Sequence, residues 1–257
     1  MEKITILGAY GAKGFKQESS SFLLTDTHAI DAGNLLRSLG EGAARIETIW
    51  LTHSHLDHIV EIAYILDSYF TLRSKPLKLM GLAHTLEAIQ THFLNDVIWP
   101  DFSKIPLCNA DSMSVVYESI ELNRVYTIDE ITSIEAMETV HTVPSCGYIV
   151  RKNSSAVLIT ADSYKNPRLR ETINKYPEIS ALVLECTFPS EMDALALESL
   201  HLTPALAEEE IKGVQREVKL YFNHLKPGFT ETIKKEIKAS ELLKNGHILD
   251  DGDTIYF

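Results

Sequence analysis

The sequence predicts an α/β fold in which two sheets pack together and are flanked by helices. Two strand-rich segments, one in each half of the 257-residue chain, are each followed by alternating strands and helices. Hydrophobic residues make up 45% of the chain and charged residues 23%, which is typical of a globular protein with a large core. No Pro/Gly/Ser-rich linker or repeat interrupts the chain, so we expect a single domain over residues 1–257.

Hydrophobic periodicity places the elements of the first half. Apolar and β-branched runs predict strands, the second and third of which form a hairpin, at 4–7, 20–24, 28–31, 46–51 and 77–82. A helix begins near Gly33, and helical spacing of apolar residues predicts two more helices, at 61–70 and 83–95.

The second half begins with alternating β-branched and polar residues and then changes to a strand–helix rhythm. The alternation predicts strands at 125–128, 133–138, 147–151 and 156–160. Further strands at 181–185, 218–222 and 253–257 accompany helices at 168–176, 204–216 and 230–243. Thr203 precedes the second of these helices and is expected to cap its N-terminus.

Net charge and cysteine usage limit the functional classes. The formal net charge is −12 and no basic face is evident. This disfavours a long nucleic acid as a partner but permits a small anionic substrate. The three cysteines, Cys108, Cys146 and Cys186, show no metal-clip spacing, so we expect them reduced in a cytoplasmic protein. No signal peptide and no apolar run of about 18 residues is visible, so no membrane association is expected.

Four potential metal ligands fall within six residues directly after a hydrophobic strand. In Thr52-His53-Ser54-His55-Leu56-Asp57-His58, the side chains of His53 and His55 point to one side if the segment is extended. Asp57 and His58 follow where the chain turns and are free to face a second metal. Imidazole and carboxylate at this spacing suit zinc, iron or manganese.

This motif resembles the signature of the metallo-β-lactamase superfamily. Further blocks are similar to those of the class II 3′,5′-cyclic-nucleotide phosphodiesterases, in the order Val97-Ile-Trp-Pro-Asp-Phe, His141-Thr-Val-Pro-Ser-Cys-Gly-Tyr, Thr160-Ala-Asp162-Ser, Glu185-Cys-Thr-Phe-Pro, His201-Leu-Thr-Pro and His224-Leu-Lys-Pro. The resemblance extends from about Ile4 to the last strand.

The resemblance implies a four-layer αβ/βα sandwich with two metal ions between the tops of its sheets. It assigns His53, His55 and His141 to one metal and Asp57, His58 and His224 to the other, with Asp162 bridging both. The family is zinc-dependent, which makes Zn²⁺ the expected metal, with iron or manganese as alternatives. The expected substrate is a small cyclic nucleotide, cAMP or cGMP, and relatives often form homodimers.

The expected reaction is hydrolysis to a 5′-nucleotide by a hydroxide shared between the two metals. Asp57 would both bind a metal and accept the proton of that hydroxide. His201 is the candidate proton donor to the leaving 3′-oxygen, or alternatively a phosphate-binding donor. Glu185, sixteen residues earlier, would orient its imidazole, as in related phosphodiesterases that carry a paired Glu and His.

Several neighbouring residues have weaker signals. Asp31 is expected to brace a metal-binding histidine. Ser145 and Gly147 follow His141 in a predicted turn that could offer backbone N–H groups to the phosphate, although packing is the commoner role of such residues. The family commonly has a glycine two residues after His58, whereas this chain has Val60 followed by Glu61, whose charge is then expected near the cleft.

Three alternative functions remain open at this stage. The same ligands and Glu/His pair occur in endonucleases of the ribonuclease Z type that process the 3′ end of tRNA, although no basic arm is visible here. Another hydrolase of this fold, acting on a cyclic dinucleotide, a thioester or a lactone, is a second alternative. A non-hydrolytic di-iron protein that binds oxygen or nitric oxide is the third.

Overall fold

A computed structural model describes residues 1–257 and contains two mixed sheets of seven strands each. The first sheet has the strand order β14-β1-β2-β3-β4-β5-β6. Its strands are β1 (Lys3–Gly8), β2 (Ser21–Thr25), β3 (His28–Ile30), β4 (Thr48–Trp50), β5 (Leu77–Gly81), β6 (Val115–Ser119) and β14 (Thr254–Tyr256). The strands from β3 to β6 are parallel, whereas β14, β1, β2 and β3 pair antiparallel.

The second sheet repeats this arrangement, with the order β13-β12-β11-β10-β9-β8-β7. Its strands are β7 (Val125–Thr127), β8 (Thr132–Glu138), β9 (Cys146–Lys152), β10 (Ser155–Ile159), β11 (Ile179–Glu185), β12 (Lys219–Asn223) and β13 (His247–Ile248). Strands β10 to β13 are parallel and β7 to β10 antiparallel. Each sheet therefore has a parallel half, whose strands end at one edge.

Seven α-helices connect the strands. They are α1 (Leu36–Leu39), α2 (Leu56–Tyr69), α3 (Ala83–His92), α4 (Pro167–Lys175), α5 (Asp193–Ser199), α6 (Pro204–Ile211) and α7 (Thr230–Ala239), with 3-10 helices at Gly40–Arg45 and Ser190–Met192. No helix combines the length and the apolar composition that a membrane crossing requires.

The two hydrophobic clusters define four layers. One cluster joins the outer face of the first sheet to α2 and α3, through residues such as Ile49, Leu79, Ile62 and Ile89. The other lies between the two sheets and extends from the second sheet to α4, α6 and α7. The side chain of Trp50 in β4 packs across the interface between the two sheets. Its ring lies edge-on to that of Tyr148 in β9, with 6.4 Å between the ring centroids. The predicted αβ/βα sandwich is confirmed.

Most predicted elements are present, with differences at their ends. Helix α2 begins at Leu56 and not at 61, because the metal-ligand motif itself forms the first turn. Helix α6 ends at Ile211, short of the predicted 216, and Gly213 then adopts a left-handed backbone (φ +97°). The helix expected near Gly33 is a single turn from Leu36, continued as a 3-10 helix. Strands β6 and β13 and helix α5 were not predicted.

Candidate metal centre

The candidate site lies where parallel strands of both sheets end. Strand β4 leads into Thr52 and His53, β10 into Asp162, β11 ends at Glu185, and β12 leads into His224. His141 follows β8 on the neighbouring loop. Because these strand ends meet at the facing edges of the two sheets, residues more than 150 positions apart along the chain are brought together.

The local conformation of the motif separates its ligands into two groups. His55 is extended (φ −66°, ψ 147°) and precedes helix α2, so His53 and His55 project from strand-like backbone. Asp57 and His58 lie in the first turn of α2, where an acidic side chain also interacts favourably with the helix dipole. Ligand atoms in each of two sets lie within 4.8 Å of one another, the first set being His53, His55, His141 and Asp162 and the second Asp57, His58 and His224.

Asp162, a member of the first set, also lies close to the histidines of the second set. Its Oδ2 lies 3.7 Å from Nε2 of His53 and 3.4 Å from Nε2 of His58, while its Oδ1 lies 3.2 Å from Nε2 of His224. Asp57 Oδ2 lies 3.5 Å from the same His224 nitrogen. The structure thus brings together the seven predicted ligands, which we call the metal cluster: His53, His55, Asp57, His58, His141, Asp162 and His224.

The polar atoms at the centre of the metal cluster lack protein partners. Nε2 of His53, His58 and His224 and Oδ1 of Asp162 are buried without a hydrogen bond. An unpaired buried polar atom costs free energy, and several such atoms facing one space fit a site built for cations. The donor set of five imidazoles and two carboxylates is one that divalent transition metals prefer.

Asp31 and Thr52 orient two histidines of the metal cluster by hydrogen bonds to their Nδ1 atoms. Asp31 Oδ2 accepts a hydrogen bond from Nδ1 of His58 at 2.7 Å and one from the Thr52 hydroxyl at 2.9 Å. Since that hydroxyl donates to Asp31, it is free to accept from Nδ1 of His53 at 3.0 Å. Both imidazoles therefore turn Nε2 towards the centre of the cluster.

Glu185 and Thr187 repeat this arrangement on the opposite sheet. Glu185 Oε1 accepts from Nδ1 of His201 at 2.8 Å, and Oε2 accepts from the Thr187 hydroxyl at 2.6 Å. The Thr187 hydroxyl in turn lies 2.9 Å from Nδ1 of His224. One buried carboxylate thus orients both the candidate acid, His201, and a candidate metal ligand, His224.

The pKa values of the cluster follow from burial and mutual charge. Burial, and after it the charge of the neighbouring His58, lower the pKa of His53 well below its usual value. For His58, burial also acts to lower the pKa, but the charges of Asp162 and Asp31 outweigh it and raise the pKa well above normal. Burial opposes ionisation of Asp57, yet the adjacent imidazoles of His224 and His58 lower its pKa, so this carboxyl stays ionised.

His201 has the protonation state that a proton donor requires. Burial lowers the pKa of its imidazole, but the adjacent Glu185 carboxylate raises it to about 9. The positive charge of Lys226 lowers the pKa of this imidazole, so the Lys226 ammonium is close enough to His201 to interact with it electrostatically. The ring of His201 is 5.0 Å from that of His141 and 5.3 Å from that of His224.

The backbone is strained around the metal cluster. Asp31, Ala161, Leu200 and His224 all have φ between 52° and 61°, a left-handed conformation that non-glycine residues rarely adopt. Asp31 and His224 belong to the site, and Ala161 and Leu200 directly precede the site residues Asp162 and His201. Strain of about 1–3 kcal/mol per residue persists where the surrounding structure enforces it, and such residues concentrate at functional sites.

A cleft of about 900 Å³ adjoins the metal cluster on the side of His141. It is lined by residues 82–84, 120, 122, 138–145 and 166–168, and so includes His141 and Thr142. Thr142 Oγ1 lies 3.4 Å from Nε2 of His55, which makes the cleft continuous with the cluster. Another cavity, of about 560 Å³ beside β12 and β14, contains no member of the metal cluster.

Two sequence expectations about neighbouring residues need correction. Glu61 is held away from the cleft, because its carboxylate accepts hydrogen bonds from the backbone N–H groups of Leu35 and Leu36 and from Lys13. Gly147 lies within β9 and not in a turn, and a Cβ there would stand 2.4 Å from the carbonyl oxygen of Ile159. Close strand packing therefore explains this glycine.

Sequence reasoning missed the two threonines and Lys226. Thr52 precedes the motif directly, and Thr187 lies two residues after Glu185, the spacing at which side chains of an extended segment share a side. That spacing was the available signal for Thr187. Cys146 and Cys186 carry no competing chemistry, because both are buried and burial raises the pKa of both thiols.

Comparison with known proteins supports the fold and the family. Residues 12–230 match the family described as cAMP phosphodiesterases class-II. The chain is 32% identical over 92 residues to the 3′,5′-cyclic-nucleotide phosphodiesterase 1 of Saccharomyces cerevisiae, a match that covers 35% of this chain and 25% of that protein. The matched segment thus spans about a quarter of this relative's length.

Two solved structures share the whole architecture. Unliganded yeast PDE1 superimposes with a TM-score of 0.79 at 18% identity, and the metallo-β-lactamase fold protein YhfI from Bacillus subtilis with 0.77 at 20% identity. Each comparison covers 99% of both chains. At these identities the likeness shows the metallo-β-lactamase fold, and the match over residues 12–230 shows the family. This chain belongs to the class-II cAMP phosphodiesterases.

Proposed function

We propose that this protein is a metal-dependent phosphodiesterase that hydrolyses 3′,5′-cyclic nucleotides, cAMP or cGMP, to 5′-nucleotides. The observation that carries the proposal is the convergence of seven ligand side chains around buried, unpartnered Nε2 and Oδ1 atoms, next to a histidine held by a carboxylate. The family match and the 3′,5′-cyclic-nucleotide phosphodiesterase of Saccharomyces cerevisiae support this reaction.

The metal cluster would hold two divalent cations, which we propose are Zn²⁺. His53, His55 and His141 would bind one and Asp57, His58 and His224 the other, with Asp162 shared between them. When bound, such a pair supplies Lewis acidity that lowers the pKa of water and offsets negative charge on a phosphoryl group.

Three side chains of this protein would handle the protons of the reaction. Asp57, ionised and with 27% of its side chain exposed, can accept a proton from the attacking water. His201, protonated up to about pH 9, can donate a proton to the leaving 3′-oxygen. Glu185 keeps Nδ1 of His201 engaged, so that Nε2 is the nitrogen available for this transfer.

The cleft beside His141 would receive the nucleoside part of the substrate. Its volume of about 900 Å³ falls in the range of roughly 300–1,000 Å³ that is usual for small-molecule sites. Apolar side chains such as Leu82 and Leu122 offer a surface for a base, and Arg168 and Glu138 offer polar contacts. This size suits a mononucleotide.

Incubation of the purified, metal-loaded protein with cAMP, cGMP, a cyclic dinucleotide, bis-p-nitrophenyl phosphate and a tRNA precursor tests the proposal. We expect 5′-AMP or 5′-GMP as products, and loss of activity in His55→Ala and in Asp57→Asn with the fold retained by circular dichroism. His92→Ala, which changes a histidine outside the metal cluster, is the matched control. Cleavage of the tRNA precursor without cyclic-nucleotide hydrolysis would instead assign the ribonuclease Z activity.

A further inference from the structure

Lys226 carries a half-buried charge without a counter-ion beside the metal cluster. It follows the candidate ligand His224 by two residues, and its side chain is only partly exposed. Its Nζ donates one hydrogen bond, to the backbone carbonyl oxygen of Gly11 at 2.8 Å. Lys226 forms no ion pair with any carboxylate of the chain, whereas the nearby Lys13 pairs with both Glu18 and Glu61.

The position of this ammonium is fixed by the loops that cover His224. Its backbone N–H donates to the Thr187 carbonyl at 3.1 Å, next to the hydroxyl that meets His224. Gly11, which accepts from Nζ, packs so tightly that a Cβ would stand 2.8 Å from Nδ1 of the His224 ring. The ammonium is therefore held at Gly11, next to the ring of His224.

Lys226 is distinguished from the other unpaired lysines and arginines of this chain by its position. It lies two residues after the candidate ligand His224, and its charge acts on the imidazole of His201. An ammonium offers three donors, and Lys226 uses one of them on a neutral carbonyl. Partial burial of a charge without an opposite charge costs free energy, which a bound anion would offset.

We propose that Lys226 binds a non-bridging oxygen of the substrate's phosphate and holds the phosphate of the product. This inference rests on the proposed phosphodiesterase function. A cyclic phosphodiester carries a single negative charge, whereas a phosphomonoester carries about 1.5 to 2 negative charges at pH 7. Lys226 therefore contributes more to binding of the 5′-nucleotide product, or of inorganic phosphate, than to binding of the cyclic substrate.

The test compares Lys226→Met, which matches the unbranched apolar stem of lysine without its ammonium, with Lys226→Arg and with Lys75→Met. Lys75 pairs with Glu47 on the exposed surface and provides the same change in net charge away from the site. For each metal-loaded variant, kcat and KM for cAMP are measured together with the inhibition constants of inorganic phosphate and 5′-AMP. Titration calorimetry measures phosphate binding directly.

Loss of a charge-assisted hydrogen bond predicts a rise of about tenfold to a hundredfold in KM and a larger rise in both inhibition constants for Lys226→Met. We expect kcat to change little, Lys226→Arg to retain most of the affinity and Lys75→Met to match the wild type. Raising the salt concentration should weaken phosphate binding by the wild type more than by Lys226→Met. A purely structural role of Lys226 would not produce this difference in salt dependence.

Unchanged KM and phosphate affinity in Lys226→Met, with an active wild type, would overturn the inference and leave the phosphodiesterase function intact. If no cyclic nucleotide is hydrolysed by the wild type, the proposed function fails, and the calorimetric titration with phosphate still decides the role of Lys226. If Lys226→Met loses its metals, the comparison is made between Lys226→Arg and the wild type. The inference is supported if the two bind phosphate equally well at low salt and if both affinities fall together as the salt concentration rises. Insensitivity of both to salt would overturn it.

Discussion

Glu185 places one carboxylate oxygen 2.8 Å from Nδ1 of His201 and the other 2.6 Å from the hydroxyl of Thr187. Through that hydroxyl it also orients His224. A single buried carboxylate therefore contacts the proposed proton donor directly and the proposed metal ligand through Thr187. Asp31 has the same relationship to His58 and, through Thr52, to His53.

This arrangement predicts that substitutions of His201 and Glu185 differ in their effect on metal binding. His201→Ala should lower kcat by about 10²- to 10⁴-fold, the usual contribution of a general acid, with metal content unchanged. Glu185→Gln should lower kcat and also weaken metal affinity by about 10- to 100-fold, because the orientation of His224 is lost as well. Elemental analysis after dialysis against a series of chelator concentrations distinguishes the two. Equal loss of metal from both variants would contradict the separation of roles.

The pH profile of kcat/KM should report the state of His201. In the proposed mechanism the protonated imidazole is the active form, and its pKa is raised to about 9. We therefore expect activity to be retained below that pH and lost as the pH rises through it. In Glu185→Gln the raising effect of the carboxylate is absent and burial lowers the pKa, so the decline should begin at lower pH. A basic limb at the same pH in both proteins would show that another group controls it.

Removal of the metals should lower the melting temperature. Bound cations stabilise the folded state by mass action, about 4 kcal/mol when the free metal is a thousandfold above its dissociation constant. For a chain of this length, that corresponds to a decrease of roughly 10 °C in melting temperature on treatment with a chelator. Differential scanning calorimetry with and without chelator measures the decrease. In Asp162→Asn, which lacks the carboxylate proposed to bind both metals, the chelator should have almost no effect.

The cleft beside His141 should govern binding of the nucleoside. Leu122 is partly buried and lines the cleft without belonging to the metal cluster. Leu122→Gln should raise KM for cAMP several-fold, since burial of a base against an apolar side chain is worth about 1–2 kcal/mol. The rate with bis-p-nitrophenyl phosphate, which has no nucleoside, should not change. An equal effect on both substrates would place the nucleoside elsewhere.

The sequence was most informative where the chemistry is local. The motif from His53 to His58 holds four candidate ligands in six residues, and its position after a buried strand indicated the end of β4 and the start of a helix. His141, Asp162 and His224 came only from the resemblance to a family, because nothing local distinguishes them from structural residues. Their convergence depends on the pairing of β10, β11 and β12, which lies outside any short window of sequence.

The features that escaped prediction depend on tertiary structure. Helix α5 has seven residues and strand β13 has two, and elements this short have too few residues to show a period. The left-handed backbone of Ala161 and Leu200 is imposed by the surrounding site against the preference of both residues. Thr187 and Lys226 became interpretable only once their distances to His224 and Gly11 were known.

The most direct test of the central claim is the ratio of metal to protein, measured together with the rate of cAMP hydrolysis as metals are removed and restored. We predict two divalent ions per chain, no hydrolysis after their removal and recovery when Zn²⁺ is returned, with His55→Ala failing to recover. Hydrolysis of cAMP at an unchanged rate by protein without metal, or a chain that takes up no metal under any condition, would contradict the account.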